Sequence, residues 1–152
     1  MELQALMRRL PHGVAVLTVD AASERLGLTV DSFVSLSLDP PLVGVSVGRN
    51  AAMHELLREA GGFALSLLAA GQEDVAQHFA RGVPPIAHWH GVTTRETQGA
   101  PEIEGALGWL QCRLAAEHEV GDHTLFVGEV ESVEPGVAAT PLVHVESGYR
   151  GL

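Results

Sequence analysis

The chain contains no lysine: all nine of its basic residues are arginines, spread along 152 residues without a cluster. That absence excludes the Schiff-base chemistry of pyridoxal enzymes and the lysine of a phosphate-binding P-loop. Any grip on phosphate must come from arginine, hydroxyls, backbone amides or a helix N-terminus. Nineteen acidic residues against nine arginines leave a formal net charge of -10, which repels a nucleic-acid backbone on average. The single cysteine, Cys112, excludes an internal disulfide and a cysteine-rich metal framework, as expected in a reducing compartment. No apolar run of about 18 residues is present to cross a membrane. Glu2, Gln4, Arg8 and Arg9 interrupt the stretch a signal peptide would need, so a soluble, cytoplasmic protein is expected. No G-x-G-x-x-G occurs, so nothing supports a Rossmann dinucleotide site.

What is present is a hydrophobic fraction of 46% in 152 residues, enough for one core and too little for two, so residues 1–152 are read as a single domain. Leu3, Leu6, Met7 and Leu10 recur at helical spacing over residues 2–10 until Pro11 and Gly13 end the pattern. Residues 13–20, 26–38 and 41–47 are rich in valine, leucine and hydroxyl residues and read as strands. Asn50 predicts an N-cap for a helix from Ala51 to about Glu59, with Gly61-Gly62 as its stop before a strand over 63–68. A second helix is predicted from Gln72 to about Arg81. Residues 83–105 read as an irregular surface connection whose length suggests a functional or interface role. Runs at 107–120 and 123–134 flank Gly121-Asp122, a strong hairpin pair, and PLVHV and GYRGL close the chain. Strands dominate and no βαβ alternation appears, so the fold class is mainly β, an antiparallel barrel with two or three short helices.

Several chemical signals compete. Gly44-Val45-Ser46-Val47-Gly48 fits the G-x-S-x-G hydrolase pattern, but an elbow so early in so short a chain leaves little room for the parallel sheet that carries it. Ordinary strand alternation explains Ser46 better, although it can still line a site. His88-Trp89-His90 would place two imidazoles on one side of an extended segment, yet no third ligand stands at a recognisable spacing, so no metal is expected and solvated loop histidines are the favoured reading. Cys112, between Gln111 and Arg113 in a strand, reads as a small buried core residue. The segment 29–37 places Thr29, Asp31, Ser32, Ser35 and Ser37 among apolar neighbours. By itself such a run most often satisfies backbone groups. Asp39-Pro40-Pro41 then leads to a strand that delivers Arg49 and Asn50 to a helix N-terminus, and arginine, a helix start and nearby hydroxyls together make an anion site without lysine.

GLTVDSFVSLSLDPPLVGVSVGRN resembles the signature of the flavin reductase domain family, in which a glycine-threonine strand, a serine-rich stretch and a double proline precede an arginine-asparagine turn. GGFALSLLAAGQEDVAQHFA resembles the next strand and helix, GAPEIEGALGWLQC with GDHTLFVGEVESV the C-terminal hairpin, and PLVHVESGYRGL the closing strand. The resemblance runs in order from about Pro11 to the end.

It implies an antiparallel split β-barrel that binds FMN or FAD, uses NADH or NADPH as co-substrate, forms a homodimer and supplies reduced flavin to a monooxygenase. By resemblance, Thr29, Val30, Asp31 and Ser32, with Ser35, face the isoalloxazine ring. Ser46, Val47, Gly48, Arg49, Asn50 and Met53 hold the ribityl phosphate side, and Ala80 and Arg81 border the flavin. His123 is the histidine of the family's G-D-H turn near the nicotinamide, and Tyr149 and Arg150 approach the same pocket. Asp31 departs from the family's usual uncharged residue, so contact there is expected through backbone. The competing functional readings are a non-catalytic flavin-binding module and a split-barrel flavoprotein that reduces another acceptor.

Overall fold

In the computed structural model, which describes residues 2–81 and 83–152, helix α1 (Leu3–Met7) and strand β1 (His12–Gly13) precede β2 (Ala15–Asp20), β3 (Arg25–Val30), β4 (Phe33–Leu38) and β5 (Pro41–Gly48). Then come α2 (Ala52–Ala60), β6 (Gly62–Leu67), α3 (Glu73–Ala80), β7 (Thr94–Arg95), β8 (Glu102–Ile103), β9 (Gly108–Val120), β10 (His123–Pro135), β11 (Leu142–Val145) and β12 (Gly148–Gly151). Seven strands form one antiparallel sheet in the order β3-β2-β6-β9-β10-β5-β4.

The two edge strands, β3 and β4, are consecutive in sequence and joined only by Asp31 and Ser32. So short a link reaches roughly 10 Å. The sheet must therefore roll until its edges meet, which makes a barrel split at that seam. Ser32 continues the β4–β5 pairing at the edge of the seam: its carbonyl accepts from the Ser46 N–H at 3.0 Å, and its hydroxyl donates to the Ser46 carbonyl at 2.8 Å. The single strand expected over 26–38 is thus two. Asp31, the only charged residue of 26–38, and Ser32 are the local mark of the break, which barrel closure imposes.

Strand β2 is buried on both faces and reads accordingly as a continuous apolar run. Ala15, Leu17 and Val19 point into the barrel with Val30, Val45, Val47, Phe63, Leu65, Cys112 and Phe126, and α2 closes that core with Met53 and Leu57. Val14 and Val16 meet Leu68, Ala76, Phe79, Ile103 and Leu142 on the opposite side. Each fully buried side chain of this kind contributes about 1.5–3 kcal/mol. Burial also pushes the Cys112 thiol up to about 12, so it stays a protonated, inert core group.

Two helix boundaries differ from expectation. Ala51, not Asn50, occupies the N-cap of α2, without a side-chain cap, because a turn closed by the Ala51 N–H on the Gly48 carbonyl delays the helix by one residue. Helix α1 covers only Leu3–Met7 of the expected 2–10. Pro11 disfavours helical backbone at Leu10, and Leu3, Leu6 and Leu10 stay exposed, so little packing extends the helix.

The 83–105 segment is more ordered than its composition suggests. It carries a 3-10 turn at Pro85–Ala87 and the small β7–β8 hairpin, and Pro101, Glu102 and Ile103 are buried. Tertiary hydrogen bonds explain this: Thr18 Oγ1 donates to the Pro101 carbonyl, the Ile103 N–H donates to Ser66 Oγ, and Trp109 Nε1 donates to the Ile103 carbonyl. Arg95 lies over the Trp109 ring at 3.9 Å and pairs with Glu102 and Glu134.

His88, expected to be solvated, is buried, and its Nε2 accepts the Gly27 N–H at 2.8 Å while its ring packs on Phe79. That bond requires the neutral ring, and burial first, then the neighbouring His78, holds its pKa below the usual 6.5. The sign follows from linkage: the unfolded chain binds the proton more readily. The contribution of His88 is fully present above about pH 6.5 and is lost as pH falls through the lowered folded value. Thermal midpoints should be level from pH 8 to 7 and fall between pH 6.5 and 5. His88→Gln, which keeps an acceptor that does not titrate, should flatten that fall; an unchanged slope would remove His88 as its origin.

Candidate flavin and nucleotide site

The seam between β3 and β4 is where backbone donors are left without partners. Asp31 and Ser32 belong to neither strand, and among the described residues no acceptor meets either backbone N–H. Beside them, Val14, Thr29, Val30, Asp31, His144 and Tyr149 line a cavity of about 100 Å³. It adjoins a wider one of about 330 Å³ that shares Asp31 and His144 and is walled by α1 and its continuation, with Met7, Arg8, Leu10 and His12.

The β11–β12 hairpin builds the far wall. His144 and Tyr149 are directly opposed across it, with ring centroids 5.0 Å apart, and His144 Nδ1 meets Asp31 Oδ2 at 3.0 Å. The hairpin turns at Glu146 and Ser147, which both take positive φ (51° and 63°), the type I′ pattern that suits Asn-Gly far better. Burial, then the charge of Asp31, raises the Tyr149 phenol pKa, so it remains a neutral donor.

Further along β5, Val45 and Val47 point into the core, so Ser46 and Gly48 face outward. Gly48 pairs with His123, and a Cβ at Gly48 would sit 3.9 Å from that ring. His123 opens β10 directly after the turn at Gly121 (φ 62°), where the rigid hairpin holds it half-exposed. Its Nδ1 donates to Asp122 at 2.7 Å, and that hydrogen bond holds the Asp122 carboxyl below the usual carboxylate range. Arg49 folds onto the same turn: its N–H donates to the Asp122 carbonyl and its guanidinium meets Glu119 and the Gly121 carbonyl.

A strip of outward groups therefore runs from Tyr149, His144 and Asp31 through Ser32 and Ser46 to Gly48, Arg49 and His123, stitched at its middle by the Ser32–Ser46 bonds. The side chains of Val47 and Met53 are in the core, leaving only their backbone for a ligand. Val30 is buried as well, and the Thr29 hydroxyl is spent on the Ala76 carbonyl at 2.7 Å. Ser35 lies on β4 opposite Val43, and Asn50 is exposed in the turn. Ala80 is exposed at the end of α3, and Arg81 folds back so that its Nε donates to the Gln77 carbonyl. Arg150 points to the opposite side of β12 from Tyr149 and does not share its cavity. The residue sequence reasoning missed is His144: 113 positions separate it from Asp31, and only the hairpin pairing with Tyr149 brings it to the seam. Among the described residues no three metal-ligating side chains converge, and no helix is long and apolar enough to cross a membrane.

Residues 7–152 match the flavin reductase like domain family, and the chain belongs to it. It is 42% identical over 146 residues to the reductase component of 4-hydroxyphenylacetate 3-monooxygenase from Thermus thermophilus, covering 96% of this chain and 92% of that protein. An NADH-dependent FAD reductase of Streptomyces globisporus is 43% identical over 136 residues, covering 85% of this chain and 72% of that one. The solved NADH:FAD oxidoreductase of Streptomyces globisporus superimposes with a TM-score of 0.93 at 39% identity, covering 99% of this chain and 91% of that one. A second structure of that oxidoreductase, in complex with NAD and FAD fragments, gives a TM-score of 0.92 at 38% identity, covering 99% of this chain and 90% of that one. These relatives have the antiparallel split barrel described above.

Proposed function

We propose that this chain is an NADH- or NADPH-dependent flavin reductase, one domain over residues 1–152, that reduces FMN or FAD and supplies reduced flavin to a monooxygenase. The observation that carries the reading is the seam, where two consecutive backbone N–H groups, Asp31 and Ser32, lack protein acceptors inside an open polar strip. A flavin fits that donor set, since its ring edge is rich in acceptors. When bound, flavin and nicotinamide supply the redox chemistry themselves, hydride passing from nicotinamide C4 to flavin N5.

The chain's own residues bind, orient and balance charge. The free N–H groups at the seam are fixed dipoles that favour negative charge on whatever they contact, as in an oxyanion hole. The first turn of α2 has no side-chain cap; its His54 N–H bonds the Ala51 carbonyl, which leaves the Ala52 and Met53 N–H groups for an anion, and Arg49 stands two residues before the N-cap. A phosphate there would share or displace the Glu119 contact of Arg49. His123, held by Asp122 over Gly48, is the side chain assigned to the nicotinamide side, and Tyr149 offers an aromatic wall at the other end. Holding both heterocycles on one strip turns a bimolecular encounter into an oriented one.

The reading extends to a homodimer in the cytoplasm. Exposed Val34, Leu36 and Leu38 on β4 and Leu3, Leu6 and Leu10 at the N-terminus are apolar surface that a second copy would cover. Light scattering should give twice the mass of the chain; a monomer at micromolar concentration would remove the dimer from the proposal.

The decisive assay crosses NADH and NADPH with FMN, FAD and riboflavin. Nucleotide oxidation dependent on added flavin is expected. Flavin binding without turnover would make the chain a binding module, and no binding at high micromolar flavin would sink the proposal. Arg49→Ala should weaken FMN by about 1.5–3 kcal/mol and leave riboflavin, which has no phosphate, nearly unaffected. Equal losses for both ligands would instead report a loosened β9–β10 turn.

A further inference from the structure

The contact between Asp31 and His144 raises a question that the hydride chemistry leaves open. Asp31 places a carboxylate where two unsatisfied N–H groups favour negative charge on a ligand, and hydride transfer unaccompanied by a proton adds one negative charge to a flavin. An unshielded carboxylate there would oppose that gain. A carboxylate only accepts, so the 3.0 Å contact fixes the proton on His144 Nδ1. The ring is held from the side by Tyr149, and Nε2 has no protein partner among the described residues. Both side chains are about one-third exposed, at 32% for His144 and 40% for Asp31, and both line the two adjoining cavities. His144 thus reaches the carboxylate from the hairpin across the cleft, rather than from the strands that carry it.

We propose that His144 is a positioning residue for reduced flavin: by donating from Nδ1 it turns and shields the Asp31 carboxylate, so that the cleft tolerates the charge flavin gains on reduction. The proposal rests on the flavin-reductase reading. It makes Asp31 and His144 a matched pair in which either residue alone is unfavourable or idle. The effect is specific to one redox state, which a merely structural contact is not.

The test is anaerobic titration of oxidised and reduced FMN into the wild type, His144→Leu, His144→Asn, Asp31→Asn and the Asp31→Asn/His144→Leu double variant, with a thermal melt of each. His144→Leu should weaken reduced FMN about tenfold and oxidised FMN by less than about threefold, the partial exposure of the pair limiting the effect. A tenfold change in that ratio lowers the two-electron midpoint potential of bound flavin by about 30 mV. His144→Asn, which keeps a donor near the Nδ1 position, should stay within about threefold of wild type. The double variant should match Asp31→Asn, binding reduced FMN relative to oxidised at least as well as the wild type, because no carboxylate remains to shield. Equal losses for both redox states, or a double variant no better than His144→Leu, would overturn the proposal. If His144→Leu does not fold, Asp31→Asn decides alone: it should tighten reduced FMN relative to oxidised, and a shift the other way overturns the proposal. A wild type that binds neither redox state would take down the flavin-reductase reading and this inference together.

Discussion

Exchanging His123 for alanine is expected to slow flavin reduction by the nucleotide about 10- to 100-fold, or to raise the nucleotide Michaelis constant by as much, while the flavin dissociation constant stays within about twofold. The expectation comes from how the side chain is held. It begins β10 immediately after a two-residue turn, its Nδ1 is tied to Asp122, and its ring stands over Gly48, where no side chain competes for the space. An imidazole fixed in this way can orient a second planar ligand laid along the strip without touching the seam that receives the first. Anaerobic stopped-flow, following loss of oxidised flavin absorbance after mixing with NADH or NADPH, separates the two effects. Wild-type rates and nucleotide affinity in the variant would remove His123 from the mechanism. A parallel loss of flavin affinity would assign it to the flavin half of the strip.

A comparably large effect on the fold itself is expected from Gly128→Ala. Gly128 lies in β10 where the register with β9 shifts between Val127 and Gly128. An added Cβ would lie 2.5 Å from Phe63 Cζ and 2.8 Å from Cys112 Cβ. Phe63 and Cys112 are both buried members of the barrel core, so neither has room to retreat. Overpacking of this kind costs about 1–3 kcal/mol, and a strand pinned by partners on both sides belongs at the upper end. Urea unfolding should show a lower midpoint with an unchanged slope. A variant as stable as the wild type would mean that the core yields more than its close packing allows. Gly61→Ala makes an instructive contrast: nothing lies within 4 Å of its added Cβ, but its φ of 69° is the left-handed conformation that alanine disfavours. Its cost should be about 1 kcal/mol, from backbone strain alone.

The sequence by itself determined most of the element types and singled out Arg49 as the candidate anion contact. Both are written in local terms. The long strand runs around Gly121-Asp122, the stop at Gly61 and the position of α3 follow from periodicity and turn residues, and the lack of lysine leaves Arg49 as the cation beside a helix start. The order of segments around Asp39-Pro40-Pro41 also sufficed for the family, and with it the split barrel. Tertiary structure decided what depends on distant partners. The break at Asp31–Ser32 exists because two sheet edges must meet. The order within 83–105 comes from Thr18 and Ser66, and the burial of His88 from Gly27, all remote in sequence. Val47 and Met53 turned inward, and Arg150 away from Tyr149, because strand alternation and helix packing assign faces only once the core is known. The juxtaposition of Asp31 with His144 belongs to the same class: 113 positions separate them, and only the closing of the chain's last hairpin over the barrel seam brings imidazole to carboxylate.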